Sequence, residues 1–179
     1  VVKDAAELQA AVAKDHVCAE YKGDYRSNEN FLRSDVIVMD IDNDHSEDPA
    51  EWITPEKLEE MFPDVELMAA PSRNHLRPKD GKAARPKYHV YFPIEECRDA
   101  GRYAAMKRVL QKKFPFFDGN ALDAGRFIFG AEASEMIWQE GWMTVDEAFD
   151  MVEEGPEEDE EDFDGGSYSG PILQGSRNK

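Results

Sequence analysis

The sequence predicts an α+β fold in which one antiparallel sheet carries the core. Its 179 residues, of which 41% are hydrophobic, are enough for one buried core with appendages. Four strand-like runs and two longer amphipathic segments follow one another in the order β-α-β-β-α-β. Prolines and glycines stand where these segments end, as is typical of turns. Together these observations favour a single domain.

A small α/β annex, residues 1–34, is predicted to precede the core. Residues 4–14 are rich in alanine and place Leu8 and Val12 at helical spacing. Residues 17–21 form a short strand candidate, and the stretch that follows is polar. We therefore expect a helix and a short strand beside the main sheet.

The core, residues 35–130, is predicted to open with a buried strand and a helix. Residues 36–39 are a compact run of three β-branched residues and a methionine, which is typical of a buried strand. Thr54 then supplies an N-cap and Pro55 a residue suited to the first helical turn. An apolar stripe follows them, so we expect a helix there.

The second half of the core predicts a hairpin, a helix and a final strand. Residues 65–70 and 87–92 are both strand-like, and the loop between them is basic and rich in proline. Residues 100–114 carry apolar side chains three and four positions apart, which indicates an amphipathic helix. Residues 126–129 predict a fourth strand, which Gly130 ends.

The carboxyl-terminal part divides into a strand and helix region, residues 131–152, and an acidic tail, residues 153–179. A capping box in the first region predicts a short helix. The second region is dominated by acidic, glycine and serine residues, which is typical of a flexible tail or linker. The expected domain therefore covers residues 1–152.

The net charge of −18 at first argues against a nucleic-acid partner. However, residues 146–164 hold 12 acidic and no basic side chains. Since residues 165–179 add two basic side chains, residues 1–145 carry only −8. Residues 73–87 and 98–113 each contain six basic side chains against one acid. A polyanionic partner therefore stays compatible with the predicted domain.

The sequence also limits the cellular setting. No apolar run approaches the roughly 18 residues that a membrane helix needs, and the first residues lack a signal sequence. Cys18 and Cys97 stand far apart and outside any Cys-x-x-Cys pattern, so neither a zinc ribbon nor a disulfide framework is indicated. We expect a cytoplasmic protein without a membrane partner. The valine at position 1 fits a fragment of a longer protein, so further domains are expected.

The order β-α-β-β-α-β predicts a ferredoxin-like or RNA-recognition-motif (RRM) sheet, in which the strands lie antiparallel in the order 4-1-3-2. In such a sheet the first two strands end at the edge where the last two begin. The polar residues at these ends would therefore meet. They are Asp40, Asp42, Ser72, Arg73, Lys87, His89, Asp123 and Arg126.

Three of these residues are acids, which predicts a metal site. Asp40 and Asp42 share one face of the first core strand because side chains alternate along a strand. Together with Asp123, their carboxylates would repel one another unless a cation lay between them. Carboxylate oxygens select hard ions, so Mg²⁺ or Mn²⁺ is the expected metal.

Several segments then resemble the archaeo-eukaryotic primase superfamily, particularly the primase-polymerase domains of mobile elements such as phages and plasmids. The similar motifs are an acid-x-acid pair after a strand, Ser-x-His-like residues, and a late acid. They lie at residues 38–44, 71–75 with 86–93, and 122–130. The sequence departs from many relatives in one respect, because a loop of 16 residues separates Ser72 from His89.

The resemblance implies a template-directed DNA primase or polymerase domain. Such an enzyme transfers nucleotidyl groups from NTP or dNTP to a 3′-hydroxyl by two-metal catalysis and releases pyrophosphate. Asp40, Asp42 and Asp123 would be the catalytic metal ligands. The implied partners are a single-stranded DNA template, the nucleotide, and a helicase or template-binding domain in a longer protein. The residues expected to bind the triphosphate are His89, Lys87, Ser72, Arg73 and Arg126.

Three other interpretations fit parts of the sequence. A non-catalytic nucleic-acid-binding module of the RRM type would use Tyr91 to stack a base. A replication-initiator nuclease would need a His-apolar-His pair on the third strand, where only His89 is present. An EF-hand loop beginning at Asp40 would need a glycine at position 45, where the sequence has histidine, and an entering helix.

Overall fold

A computed structural model describes residues 2–78, 81–132 and 135–151, and they form a mixed α+β fold. Within these residues there are four α-helices and seven strands. The helices are α1 (Ala5–Val12), α2 (Pro55–Met61), α3 (Ala100–Lys113) and α4 (Val145–Ala148). The strands are β1 (His16–Val17), β2 (Glu20–Tyr21), β3 (Phe31–Ile41), β4 (Leu67–Pro71), β5 (Tyr88–Cys97), β6 (Phe127–Ile128) and β7 (Ile137–Gln139).

Five of the strands form one antiparallel sheet in the order β2-β3-β5-β4-β7. The two long strands β3 and β5 lie next to each other, and Asp40 of β3 is opposite His89 of β5. On the other side of β5, Ala70 of β4 is also opposite His89. The predicted hairpin between the second and third core strands is thus confirmed.

One face of the sheet carries the larger part of the core. Ile37, Met39 and Ile41 point to this face from alternate positions of β3, and all three are buried. Leu58 of α2 and Leu110 of α3 are fully buried against the same cluster. Burying a side chain of this size stabilises a fold by roughly 1.5–3 kcal/mol. The β-branched run in β3 is therefore central to stability.

The opposite face of the sheet is covered by the annex. Val38 of β3 and Tyr91 of β5 pack here against Leu8 and Val12 of α1 and against Ile128. Because side chains alternate along a strand, Asp40 lies on the same face as Val38, two positions further along. The annex thus covers the apolar part of this face, and the polar residues follow at its end.

The helices begin where the sequence indicates that they should. Thr54 accepts a hydrogen bond from the backbone N–H of Lys57, and Pro55 occupies the first turn of α2. The side chain of Asp99 caps α3 in the same way. Such caps satisfy backbone donors that a helix end otherwise leaves unpaired. The predicted helices are therefore confirmed, with ends that differ by a few residues.

The predicted strand order 4-1-3-2 is wrong in its fourth strand. The first three core strands do lie in the order 1-3-2, as β3-β5-β4. The fourth, β6, pairs instead with β1 in a separate two-stranded ribbon. The free edge of β3 is taken by β2 near Phe31 and, at the other end, by a single bridge between Ile41 and Phe117, which a turn at residues 118–120 follows. Residues 118–126 therefore leave the sheet before β6 begins.

Other boundaries also differ from the sequence prediction. β3 begins at Phe31, so the first core strand crosses the predicted border between annex and core. β7 falls within the predicted strand and helix region, residues 131–152, but its pairing with β4 adds a strand that the predicted sheet order did not contain. The predicted acidic tail, residues 153–179, lies outside the described residues. No helix within the described part of the chain is long and apolar enough to cross a membrane.

Candidate active site

The candidate site lies where β3 ends and β5 begins, on the annex side of the sheet. Asp40 and His89 form its centre, since they are opposite each other on the two long strands. Asp42 and Lys87 lie two residues further along toward the loops. The β-branched run before Asp40 and the alternation of both strands fix these positions.

Asp40 is a buried carboxylate held by two basic side chains. Only 5% of the residue is exposed. His89 donates from Nδ1 to Oδ1 at 2.6 Å, and Arg126 donates to Oδ2. Burial raises the pKa of this carboxyl group, but the hydrogen bond from His89 and the charges of His89 and Arg126 outweigh burial, so the net pKa is below its ordinary value. Asp40 is therefore ionised at neutral pH.

The contact with Asp40 also orients the imidazole of His89. Because a carboxylate only accepts hydrogen bonds, Nδ1 must carry the proton in this contact. Nε2 is then the ring atom left to meet a ligand. The side chain of His89 is 14% exposed, so the ring is held within the site and still reaches solvent.

A second acid and base pair lies at the more open end of the site. Lys87 contacts Asp42 with Nζ and Oδ1 3.0 Å apart. The side chain of Asp42 is 43% exposed, whereas that of Lys87 is largely covered. A cavity of about 130 Å³ opens beside this pair, and its charged lining has two more bases than acids. The charged residues are Asp42, Asp44, Arg77, Lys82, Arg85 and Lys87.

Arg85 is a functional candidate that sequence reasoning did not distinguish from the rest of the basic loop. It is buried, with its guanidinium 5.5 Å from the ring centre of Trp52. It donates to the backbone oxygen of Asn43 at 2.8 Å and to Glu47 at 2.9 Å. Arg85 thus ties the loop after β3, which carries the second acid, to the loop before β5.

Arg126 is placed by an irregular segment, residues 117–126, rather than by a sheet strand. The backbone N–H of Asp118 donates to the backbone oxygen of Asp40 at 2.9 Å. Further along, the hydroxyl of Tyr21 donates to the backbone oxygen of Ala124 at 2.6 Å. Nε of Arg126 is buried without a partner among the described residues. These bonds fix the segment so that the arginine meets the buried acid.

Lys107 of α3 is another buried cation that the sequence did not reveal. It is fully buried and donates from Nζ to the backbone oxygen of Ala121, inside the segment that carries Arg126. Burial lowers the pKa of Lys107 to about 8, although the charges of Asp40 and Asp123 oppose this shift. In the sequence Lys107 is one of five basic side chains on the predicted amphipathic helix, and nothing in the pattern sets it apart.

Asp123, the third acid of the predicted triad, lies in the irregular segment just before Arg126. It is exposed, and a side chain added at Gly125 would lie 3.6 Å from its Oδ2. Within the described ranges, no three acidic, histidine or cysteine side chains form a group that could hold a metal ion. The structure brings Asp40 and Asp42 to one face, and the role of Asp123 as a third ligand stays a prediction.

Ser72 and Arg73 follow β4 as predicted, but their contacts differ from the expectation. The backbone N–H of Ser72 donates to the backbone oxygen of Lys87 at 2.9 Å, which extends the hairpin. Arg73 contacts Asp15 at 3.0 Å and the backbone oxygen of Gly130 at 3.1 Å. Arg73 is therefore attached to the annex and the end of β6.

Tyr91, the residue expected to stack a base in the non-catalytic alternative, is only 4% exposed. His16 of the annex donates from Nδ1 to the backbone oxygen of Lys14 at 2.7 Å and accepts the Tyr91 hydroxyl at Nε2, 3.0 Å away. Burial lowers the pKa of His16, which fits its role as a neutral acceptor. The ring of Tyr91 thus offers no open face to a base.

Comparisons with protein-family models, with curated proteins and with solved structures found no match for this chain.

Proposed function

We propose that this chain is a metal-dependent nucleotidyltransferase, a template-directed DNA primase or polymerase domain of the archaeo-eukaryotic primase type. It would transfer nucleotidyl groups from NTP or dNTP to a 3′-hydroxyl on a single-stranded DNA template and release pyrophosphate. The observation that carries the proposal is the buried Asp40 carboxylate, bound by His89 from the next strand and by Arg126. Asp42 follows on the same face.

Asp40 and Asp42 would give a hard divalent cation two carboxylate ligands at the end of β3, with the other positions left to substrate phosphates and water. Asp40 lies near the end of β3 and Asp42 just after it. Both carboxylates contact basic side chains that offset their charge. Mg²⁺ or Mn²⁺ is the ion that such oxygens prefer. When bound, the ion would supply positive charge to the reacting phosphate and make the attacking hydroxyl more acidic.

The basic side chains of the site match the charge of a triphosphate. Lys87 and Arg126 are charged donors, and Nε2 of His89 faces away from its carboxylate partner. Charge-assisted hydrogen bonds to phosphate are among the stronger ones in proteins. The adjoining cavity, with its excess of bases, extends this positive region toward Arg77 and Lys82. We infer that the triphosphate lies across these groups.

The sheet supports the proposal at the level of architecture. The antiparallel order β3-β5-β4 is the central part of the sheet expected for interleaved β-α-β units. β6 pairs with β1 outside this sheet. The ferredoxin-like, RRM-type fold therefore stays a proposal. In this chain a loop takes the place of the fourth strand and still delivers Arg126 to the site.

Primer extension and primer-free synthesis on single-stranded DNA, each with Mg²⁺ or Mn²⁺, test the proposal. The wild type should incorporate nucleotides in a metal-dependent reaction, and Asp42→Ala should reduce incorporation to background. The Asp42 side chain is 43% exposed, so the variant should keep its fold and unfold near the wild-type temperature. A circular dichroism melt checks that condition.

Asp35→Ala is the matched control, because Asp35 is an exposed acid of β3 that precedes Asp40 by five residues. It should extend primers at the wild-type rate. Wild-type synthesis by the Asp42 variant would contradict the metal-binding role. A wild type that incorporates no nucleotide with either ion would contradict the proposed activity itself.

A further inference from the structure

The segment that follows Arg126 carries two outward-facing aromatic rings. Phe127 and Phe129 lie on the same side of the chain because side chains alternate along β6. Ile128 between them points inward and is buried in the annex cluster. Phe129 is 55% exposed. The outer surface of the two-stranded ribbon is therefore aromatic at the point where the chain leaves the candidate site.

Each of these rings has an arginine over its face. The guanidinium carbon of Arg26 lies 5.5 Å from the ring centre of Phe127. That of Arg73 lies 4.8 Å from the ring centre of Phe129. The two rings are in an edge contact, with their centres 5.2 Å apart. Phe129 is more than half exposed although Arg73 lies over it, so part of its ring is left for a further planar group.

The arginines are held in place by backbone oxygens. Arg26 donates to the backbone oxygen of Gly125, and Arg73 donates to that of Gly130. The backbone oxygens that hold the two arginines therefore lie at the two ends of residues 125–130. Arg73 also forms an ion pair with Asp15, in which both side chains are about half exposed. Such an exposed pair contributes little energy and can exchange for another anion.

We propose that these four residues, Arg26, Phe127, Phe129 and Arg73, form a binding surface for single-stranded DNA. We call this surface the aromatic strip. A base would stack on the open face of Phe129, and the guanidinium groups would contact neighbouring phosphates. The choice of DNA rests on the proposed function, because the strip continues directly from Arg126, which binds Asp40. A strand lying on the strip would reach the candidate site.

The chemistry of the strip favours a single strand over a duplex. Bases in a duplex are stacked on one another, so their faces are not open to a side chain, whereas unpaired bases stack on aromatic rings in any sequence. Two arginines would contact only two phosphates and so release few counterions from the DNA. The logarithm of the association constant should therefore fall with the logarithm of the salt concentration with a slope of roughly −1.4 for two phosphate contacts.

Fluorescence anisotropy with a labelled dT20 oligonucleotide and the full chain, in EDTA, tests the strip. Phe129→Leu keeps an apolar side chain of similar reach but removes the aromatic face, so the dissociation constant should rise roughly 5- to 150-fold. Phe129→Trp restores an aromatic face and should bind within about twofold of the wild type or more tightly. Trp142→Leu is the matched control, since Trp142 is 76% exposed on the loop after β7, and it should not change the affinity.

The outcomes separate the strip from the proposed activity. Because EDTA removes the divalent ion, binding is measured without catalysis. No binding of dT20 by the wild type, equal binding by Phe129→Leu, or an equal loss in Trp142→Leu would overturn the strip. Tighter binding of a duplex or of rU20 than of dT20 would overturn the assignment to single-stranded DNA. Loss of synthesis in Asp42→Ala with unchanged dT20 affinity would support both proposals.

Discussion

Replacing Lys107 with methionine tests how the fold accommodates a buried charge beside the candidate site. Lys107 is fully buried on α3, and its only hydrogen bond among those described runs to the backbone oxygen of Ala121. Its pKa falls from the ordinary value of 10.5 to about 8 because burial disfavours the charged form. A shift of this size lowers the free energy of unfolding by roughly 3 kcal/mol at neutral pH.

The pH dependence follows from the direction of this shift. Below pH 8 the lysine is protonated in both the folded and the unfolded chain, so the full cost is present. Between pH 8 and 10.5 the folded chain loses the proton first, and the cost is progressively relieved as the pH rises. About 1 kcal/mol is recovered between pH 7 and 9. The wild type should gain this much stability relative to Lys107→Met over that range.

Methionine has a second effect, because it removes the hydrogen bond to Ala121. Leaving a buried carbonyl unpaired costs roughly 1–3 kcal/mol, but this cost does not change with pH. This cost lowers the stability of the variant equally at every pH. The difference between the two proteins in how stability changes with pH therefore reports the charge of Lys107 alone. Burial raises the pKa of Cys18 to about 12, and the charge of Lys107 opposes this rise, so the thiol of the folded chain stays protonated up to pH 9 with or without Lys107. Burial also raises the pKa values of Tyr21 and Tyr91, and the effects of all three groups on the slope cancel in the comparison.

Urea unfolding at pH 7, 8 and 9, followed by tryptophan fluorescence, measures the difference. Lys112→Met is the control, because Lys112 is exposed on the same helix and its replacement should leave the slope unchanged. The expected gain of about 1 kcal/mol corresponds to roughly 2–4 °C in melting temperature. Parallel stability curves for the wild type and Lys107→Met would refute the assignment of a buried, depressed lysine.

Two further substitutions test loop packing, one beside the site and one before the start of β4. Arg85→Met should lower the free energy of unfolding by roughly 1–3 kcal/mol, because it leaves the buried backbone oxygen of Asn43 unpaired. Glu47, the other partner, is 75% exposed and stays solvated. An unchanged urea midpoint would contradict this prediction. Gly141→Ala should cost about 1–3 kcal/mol, because its Cβ would overlap the backbone nitrogen of Glu66. Gly119→Ala, which meets only a side chain at 3.7 Å, is its control, and equal melting temperatures for both variants would contradict the clash.

Local patterns in the sequence predicted the centre of the sheet and half of the site. The β-branched run before Asp40 predicts a buried strand, and the alternation of Lys87, His89 and Tyr91 predicts that they share one face of another strand. Each pattern lies within a few residues, so it can be recognised in the sequence alone. In the structure Asp40 and His89 are opposite each other. Thr54 and Pro55 likewise determine the start of α2 through contacts within one turn.

The remaining features depend on contacts that no local pattern encodes. Residues 126–129 have strand character, but whether they pair with β3 or with β1 is decided by the turn at residues 118–120 and by hydrogen bonds from Tyr21 and Lys107. Lys107 looks like one of several exposed bases until the segment it binds is placed. The buried Arg85 is hidden in the same way within a basic loop.

The departure of β6 from the sheet links the candidate site to the aromatic strip. If residues 126–129 had joined β3 as the fourth strand, Phe127 and Phe129 would have been separated from Arg26 and Arg73, which now cover them. Pairing with β1 instead brings Arg26 and Arg73 onto these rings and leaves Arg126 bound to Asp40. One short segment therefore carries both a ligand of the buried acid and the surface proposed for the DNA strand. A substitution that loosens this segment should weaken both properties together, whereas Phe129→Leu should affect only the second.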